Sequence, residues 1–390
     1  MVLGYLLARA GIETVILEKH ADFLRDFRGD TIHPSTLEVM DELGLIDRFL
    51  QLPHQNLETL GARIGDETFT VADFRRSGLK YPYIAFMPQW DFLNFLASEG
   101  RRFPTFKLLM QTEATDLINV NGTVAGVRAT MPGGESQIHA PLTVACDGRH
   151  STLREKAGLA VQDIGAPMDV LWFRVGKKAG SSDHLLGRIG TGKMMITLDR
   201  GDYWQIAYVI PKGGFDGLKA GGVDAFRRDV VSLAPALADT IGDIAGWDDV
   251  KLLTVAVDRL ERWTLPGLLC IGDAAHAMSP IGGVGVNLAV QDAVATANLL
   301  AEKLRRGGVT RADLDAVRAR RMFPTRVTQA VQVAAQNNIV KSVLATSDAV
   351  ISPPLLARLA NRSSWLEGRI ARAVGAGVRP EHVQTPDAFA

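Results

Sequence analysis

The chain has 390 residues, of which 47% are hydrophobic and 22% are charged. This length suggests two or three domains with a large buried core. Basic and acidic residues each number 43, so no net charge favours a nucleic acid or an anionic membrane surface. No run approaches the roughly 18 apolar residues of a membrane span, and we expect none.

The first twenty residues have the pattern of the second half of a dinucleotide-binding βαβ unit. Helical spacing over residues 1–10 ends at Gly11, and Thr14–Leu17 reads as a short buried strand. The carboxylate of Glu18 then stands where it could accept hydrogen bonds from a ribose, with Lys19 beside it. We expect the glycine-rich phosphate turn of such a unit to lie upstream of Met1, so that the chain is truncated before that turn.

Helical and strand patterns alternate in the next part of the chain. Residues 28–50 read as a turn and a helix, for which Ser35 and Glu38 predict a capping box. Strands are predicted over 57–86, and helical spacing returns over 87–103.

Residues 107–146 read as strands, and Asn121-Gly122 predicts a hairpin within them. The last of these strands ends at Cys146 and is followed by Asp147-Gly148. An aspartate in such a turn can bond a sugar or ribityl hydroxyl, and a glycine lets a ligand approach closely. An Asp-Gly pair is also a common turn with no ligand.

The segment 168–211 is the richest in strand-forming residues, with two strands predicted around a turn at Asp199–Asp202. Tyr203, Trp204 and Tyr208 could face a ring pocket, but alternation favours packing within the sheet. The two cysteines, Cys146 and Cys270, are far apart in sequence, and we expect both to be reduced and buried.

Residues 268–304 predict a buried strand, a glycine-rich turn and a long helix. Gly272-Asp273 follows the strand, so Asp273 could bind a hydroxyl. Backbone N–H groups at the start of the helix would suit the negative charge of a reduced flavin. The candidate residues here are Pro280, Gly283, Gly285, Val286 and Asn287. For His276 we favour a packing role over acid–base catalysis.

Taken in order, these motifs resemble the single-component FAD-dependent aromatic hydroxylases, the para-hydroxybenzoate hydroxylase-like flavoprotein monooxygenases. The resemblance covers roughly residues 1–340 and includes Arg28-Gly29 and Gln89. It implies that Glu18 binds the adenosine ribose and that Arg28 and Gln89 contact FAD. It further implies that Asp273 binds the ribityl chain, and that the Asp147-Gly148 turn serves both FAD and the pyridine nucleotide.

The implied fold is α/β, with a Rossmann-like FAD-binding domain that is incomplete at its N-terminus, an inserted β-sheet substrate domain and C-terminal helices. We assign the discontinuous FAD-binding domain to 1–56, 87–162 and 254–345, the substrate domain to 57–86 and 163–253, and a C-terminal helical tail to 346–390.

The implied activity is hydroxylation of an aromatic or related electron-rich small molecule with NADPH or NADH and O2, through a flavin C4a-hydroperoxide. The spacing of His and Cys predicts no metal site, and no residue is singled out as a catalytic base. The expected location is the cytoplasm, with no nucleic-acid partner, and the resemblance leaves a homodimer open.

Two alternatives remain from the sequence. One is a flavin-dependent halogenase or reductase on the same fold, although the stretch from Trp204 to Pro211 departs from the Trp-x-Trp-x-Ile-Pro of halogenases. The other is a truncated or decayed relative with weak or no FAD binding, which binds only a ligand or a partner.

Overall fold

The structure is a computed structural model that describes residues 1–24, 31–65, 67–178, 187–345, 359 and 362–390. Two small sheets each contain one parallel pair of strands. Strand β1 (Thr14–Leu17) pairs in parallel with β7 (Phe106–Leu109). Strand β11 (Thr143–Ala145) pairs in parallel with β20 (Leu268–Cys270), which pairs on its other side with β19 (Thr264–Leu265).

Helices pack against these sheets and form the largest hydrophobic core. Gly4 of the first helix permits a close approach to β1, because a Cβ atom there would lie 2.2 Å from Ile16 Cδ1. The helices that complete this half are α1 (Val2–Arg9), α2 (Pro34–Glu42), α3 (Ile46–Phe49), α4 (Gln89–Gly100), α5 (Thr152–Lys156), α8 (Gly285–Arg305) and α9 (Arg311–Ala335).

A seven-stranded sheet forms the second half of the molecule. Its strands in spatial order are β17 (Lys251–Leu253), β13 (Met168–Gly176), β16 (Tyr203–Pro211), β15 (Lys193–Asp199), β14 (Gly187–Gly190), β4 (Thr59–Ile64) and β5 (Glu67–Asp73). Helices α6 (Phe215–Gly221) and α7 (Val223–Leu233) follow in the chain, and side chains from both pack against one face of the sheet. Strands from both predicted substrate-domain segments therefore lie in one sheet, while the domain boundaries stay a prediction.

Smaller sheets complete the fold. Their strands are β2 (Thr31–Ile32), β6 (Ile84–Phe86) and β3 (Gln55–Leu57) in one, β8 (Glu113–Val120), β9 (Thr123–Met131) and β10 (Gly134–His139) in a second, and β12 (Val161–Asp163) with β18 (Asp258–Leu260) in a third. The predicted hairpin at Asn121-Gly122 is confirmed, with φ of 51° and 80° at the two turn residues.

The C-terminal part begins with α10 (Lys341–Ala345) and continues, after residues that are not described, with α11 (Ser364–Ala376). Residues 377–390, the C-terminal segment, contain no helix and run back over the first half of the molecule. There Asp387 Oδ2 lies 3.2 Å from Arg9 Nε of α1, and the main-chain N–H of Ala388 donates to Arg9 O at 2.9 Å.

Three local predictions are wrong. The capping box does not form, because α2 begins at Pro34 with His33 as its N-cap. Strand β1 has its predicted bounds but is not buried: Val15 is 45% exposed, since β1 pairs only with β7 among the described residues. Cys270 is buried as predicted, whereas Cys146 lies beyond the end of β11 and is exposed.

Among the residues that the structure describes, one helical stretch, Ile281–Arg305, is long and apolar enough to cross a membrane by length and composition, and 67% of its apolar window is buried inside the protein. Within the described ranges, no group of three or more His, Cys, Asp or Glu residues could hold a metal ion.

Candidate functional site

The two aspartate turns predicted from the sequence lie close together. Strands β11 and β20 are parallel and pair Ala145 with Cys270, so the turns that follow them emerge at the same edge. Arg149, just after the first turn, has its Nη2 atom 3.8 Å from Asp273 Oδ2 in the second turn. The Asp273 side chain is one-third exposed. Its carboxylate can therefore be reached by a hydroxyl-bearing ligand.

Asp147 has a structural role in its own turn. Its carboxylate accepts hydrogen bonds from Ser151 Oγ and, at 3.1 Å, from the main-chain N–H of Leu153, so it caps the start of α5. Gly148 has a φ of +86°, and a Cβ atom there would meet nothing within 4 Å. The turn therefore leaves open space at Gly148 into which a ligand can approach the backbone.

The glycine-rich loop has a backbone shape that needs its glycines. Gly282 and Gly283 have φ of +78° and +63°, after which α8 begins at Gly285. Thr31 Oγ1 donates to Gly283 O at 2.9 Å, which fixes the loop against β2. The first main-chain N–H groups of α8 have no partner within their own helix, so this end can receive a negatively charged group.

Asn287 holds the beginning of α8 against the beginning of α2. Its Oδ1 atom accepts the main-chain N–H of His33 at 3.0 Å and the Thr36 hydroxyl at 2.6 Å. The residue is buried. Because its side-chain oxygen is bonded within the protein, the backbone of Asn287 is its better candidate for contact with a cofactor.

Beneath the Gly272-Asp273 turn lies a buried charged group that the sequence analysis did not identify. Asp292 of α8 accepts the Gly272 N–H at 3.0 Å, lies 2.6 Å from His276 Nε2, and accepts Arg321 Nε at 2.9 Å. Burial would raise the pKa of Asp292, but His276 and Arg321 together lower it below its usual value. His276 also packs on the Trp263 ring, with 5.1 Å between ring centroids. This is the packing role that we favoured for it.

The remaining predicted residues lie around β1 and α4. Glu18 directly follows β1 and accepts the main-chain N–H of His20 at 3.0 Å. Lys19 Nζ lies 3.7 Å from Glu113 Oε1 on an exposed surface. Gln89 is the first residue of α4 and is half-buried. Arg28 lies outside the described residues.

An apolar cluster connects the glycine-rich loop to the seven-stranded sheet. Ile281 belongs to the same apolar cluster as Met194 and Val209, which lie on the sheet face opposite the one that α7 covers. Trp172 and Ile196 share this face, since both are paired with Ala207. By contrast, Trp204 and Tyr208 are buried on the α7 face, which confirms the packing role favoured for them.

These features fit a flavin dinucleotide. A half-buried carboxylate follows β1, an accessible carboxylate follows β20, and two left-handed glycines precede a helix N-terminus. An apolar sheet face lies next to that helix start, as an aromatic substrate would require. When bound, FAD supplies the redox chemistry of the reaction.

Comparisons with known proteins agree with this fit. A family model described as an FAD binding domain matches residues 1–331. The chain is 31% identical over 335 residues to 6-methylpretetramide 4-monooxygenase from Streptomyces rimosus, covering 85% of this chain and 80% of that protein.

A second Streptomyces rimosus relative, 12-dehydrotetracycline 5-monooxygenase/anhydrotetracycline 6-monooxygenase, is 28% identical over 309 residues, or 75% of this chain. The chain spans only 59% of the length of that relative. Among solved structures, p-nitrophenol 4-monooxygenase from Pseudomonas putida has a TM-score of 0.73 at 19% identity, covering 96% of this chain and 92% of that one. This last likeness shows the fold.

The predicted family, fold class and cofactor are thereby confirmed. The chain belongs to the FAD-binding-domain family and is an FAD-dependent monooxygenase of the aromatic hydroxylase type.

Proposed function

We propose that the protein hydroxylates a fused-ring aromatic polyketide, using FAD and either NADPH or NADH. The observation that carries this proposal is the apolar cluster in which Ile281 of the glycine-rich loop packs together with Met194 and Val209 of the seven-stranded sheet. A flat apolar substrate bound on that face would lie beside the loop that we assign to the flavin ring. The names of the two Streptomyces relatives supply the substrate class.

We assign the cofactor contacts as follows. Glu18 binds the adenosine ribose, Lys19, Arg28 and Gln89 also contact FAD, and the Asp147-Gly148 turn approaches both FAD and the pyridine nucleotide. Asp273 and Gly272 bind the ribityl chain. The loop residues Pro280, Gly283, Gly285, Val286 and Asn287 hold the flavin ring, where main-chain N–H groups at the start of α8 stabilise negative charge.

The substrate contacts follow from the sheet face. Trp172 and Ile196 are half-buried although they are apolar, and both lie next to the buried cluster of Val170, Ala207 and Val255. An aromatic ligand that covers these side chains would remove apolar surface from water, which contributes about 25 cal/mol of favourable binding free energy per Å² buried. Such a cover also excludes bulk water from the reacting carbon.

The substrate class can be tested with the FAD-loaded protein and a panel of phenols. NADH and NADPH oxidation would be followed with anhydrotetracycline, a fused-ring compound, and with 4-nitrophenol, a single-ring control. We expect the fused-ring compound to stimulate oxidation at least tenfold more than the control does. A larger stimulation by the single-ring phenol would contradict the proposed substrate class.

We further propose that the protein acts in the cytoplasm with neither a membrane nor a nucleic acid as partner. The balanced charge and the burial of most of the apolar window in Ile281–Arg305 support this. Sedimentation of the FAD-loaded protein would distinguish a homodimer from a monomer, and fractionation of cells would test the location.

A further inference from the structure

A series of buried charged side chains joins the C-terminal segment to the Gly272-Asp273 turn, which we assign to the ribityl part of FAD. Asp292 accepts the Gly272 N–H at 3.0 Å and binds Arg321 Nε at 2.9 Å. Arg321 in turn places Nη1 3.2 Å from Glu381 Oε1 of the C-terminal segment. Both Asp292 and Arg321 are fully buried, and Glu381 is 6% exposed.

Buried charges of this kind depend on every partner in the series. Removing one member of a buried ion pair leaves the other charge without compensation in a region that water cannot reach. Arg321 Nη1 also donates to Arg379 O at 3.3 Å, so the C-terminal segment supplies two of its acceptors. Arg320, which is more exposed than Arg321, donates two hydrogen bonds of 2.8 and 3.1 Å to the carboxylate of the same Glu381.

The other end of this series of buried charges fixes the Gly272-Asp273 turn. Gly272 has a φ of +58°, and its N–H is held by the Asp292 carboxylate. Asp273 comes immediately afterwards, so a change in the orientation of Asp292 would move the carboxylate that we assign to the ribityl hydroxyls. The distance from Glu381 to this turn is bridged entirely by side chains in hydrogen-bond contact.

We propose that Glu381, Arg321 and Asp292 are positioning residues for the cofactor, through which the C-terminal segment controls how tightly the flavin half of FAD is bound. The proposal rests on the assignment of Asp273 to the ribityl chain. It differs from a general stabilising role because it acts on the ribityl turn and not on the adenosine end near Glu18.

The chain offers a matched control for this proposal. Asp387 ties the same C-terminal segment to α1, with Oδ2 3.2 Å from Arg9 Nε, but among the described contacts it touches neither Arg321 nor Asp292. Both Glu381→Gln and Asp387→Asn remove one carboxylate that anchors the segment. Only Glu381→Gln removes a charge from the series of contacts that connects the C-terminal segment with Gly272.

The test measures binding of FAD and of ADP to the full-length apoprotein, by flavin fluorescence and by calorimetry, beside thermal unfolding. We expect Glu381→Gln to raise the Kd for FAD at least tenfold and to leave the Kd for ADP within twofold. Asp387→Asn should leave both Kd values within twofold. Equal loss of ADP and FAD affinity, or equal effects of the two variants on FAD, would overturn the proposal.

Two further variants keep the test decisive. If Glu381→Gln does not fold, Arg320→Gln is the alternative, because it removes the two hydrogen bonds that Arg320 donates to Glu381. We expect this variant to raise the Kd for FAD two- to fivefold and to leave ADP binding unchanged. Unchanged FAD binding in this variant would also count against the proposal. Asp273→Ala reports separately on the cofactor assignment: if its FAD binding matches that of the unaltered protein, that assignment fails, whatever Glu381 does.

Discussion

At the scale of single residues, Gly283 shows how closely the glycine-rich loop fits its neighbours. Its φ of +63° is one that L side chains rarely adopt, and a Cβ atom there would lie 2.6 Å from Thr31 Oγ1. The same threonine hydroxyl donates to Gly283 O at 2.9 Å. Any side chain at this position therefore meets backbone strain and a steric clash together.

We predict that Gly283→Ala weakens FAD binding about tenfold or more, because strain of this kind costs about 1–3 kcal/mol where the loop must hold its shape. Gly217→Ala is the control, since Gly217 lies in α6 with open space around its Cβ position. Fluorescence titration of FAD measures both variants. Equal FAD affinity in the two would show that the loop does not hold the cofactor.

The residues from which the sequence predicts the cofactor site belong to short local patterns. Asp-Gly and Gly-Asp pairs after strands, and glycines before a helix, can be read within a few residues of one another. Asp292 and Arg321 could not be found in this way, because their importance arises from burial and from contact across 29 positions of sequence. An acidic residue within the long apolar helix that begins near Gly285 was the one available signal.

At the scale of elements, the N-terminus of α2 shows why local rules fail. The predicted cap, Ser35, is displaced because Pro34 starts the helix and Asn287, 254 residues from His33, binds the His33 N–H. His33 also donates from Nδ1 to Val374 O of α11 at 3.1 Å. Burial lowers the pKa of His33 to about 4. The junction of α2, α8 and α11 therefore contains a neutral, buried imidazole.

This junction predicts a pH dependence of stability. The pKa of His33 in the folded protein, about 4, lies below its unfolded value of about 6.5. The unfolded chain therefore takes up a proton first as the pH falls. Stability is lost between about pH 6.5 and pH 4, and we expect a loss of about 2 kcal/mol between pH 7 and pH 5 from this group.

The measurement is urea unfolding of the protein and of His33→Asn at pH 7 and pH 5. The variant should lose about 2 kcal/mol less than the unaltered protein over this interval. His139→Gln, at an exposed position, is the control and should behave like the unaltered protein. The same pH dependence in all three proteins would rule out His33 as its source.

Elements fixed by local sequence were predicted well, and those fixed by distant partners were not. The bounds of β1 and the hairpin at Asn121-Gly122 follow from periodicity and turn chemistry over a few residues. The exposure of Val15 depends on which strands pair with β1, and the cap of α2 depends on Asn287. Neither could be read from neighbouring residues.

At the scale of the whole molecule, the proposed function depends on bringing the half that we assign to FAD against the sheet that we assign to the substrate. The apolar cluster that contains Ile281, Met194 and Val209 joins the two, and Trp172 lies on the same sheet face. Under the proposed function the two halves have separable tasks. The first would bind FAD, and the half-buried side chains on the apolar face of the sheet would select the aromatic substrate.

This separation predicts that Trp172→Ala raises the KM for a fused-ring substrate about tenfold or more, because an aromatic contact of about 1.5–3 kcal/mol is lost. The Kd for FAD should stay within twofold. Trp365→Ala, at a 72% exposed position on α11, is the control and should change neither value. A loss of FAD affinity with an unchanged KM would contradict the separation.

The central claim is that this protein inserts an oxygen atom from O2 into an aromatic ring with FAD as its cofactor. The most direct test incubates the FAD-loaded protein with a reduced pyridine nucleotide, a fused-ring phenol and 18O2, and follows the product by mass spectrometry. We predict a product that carries one 18O atom, formed in proportion to the nucleotide oxidised. Nucleotide oxidation that yields only hydrogen peroxide, or a product without the label, would contradict the account.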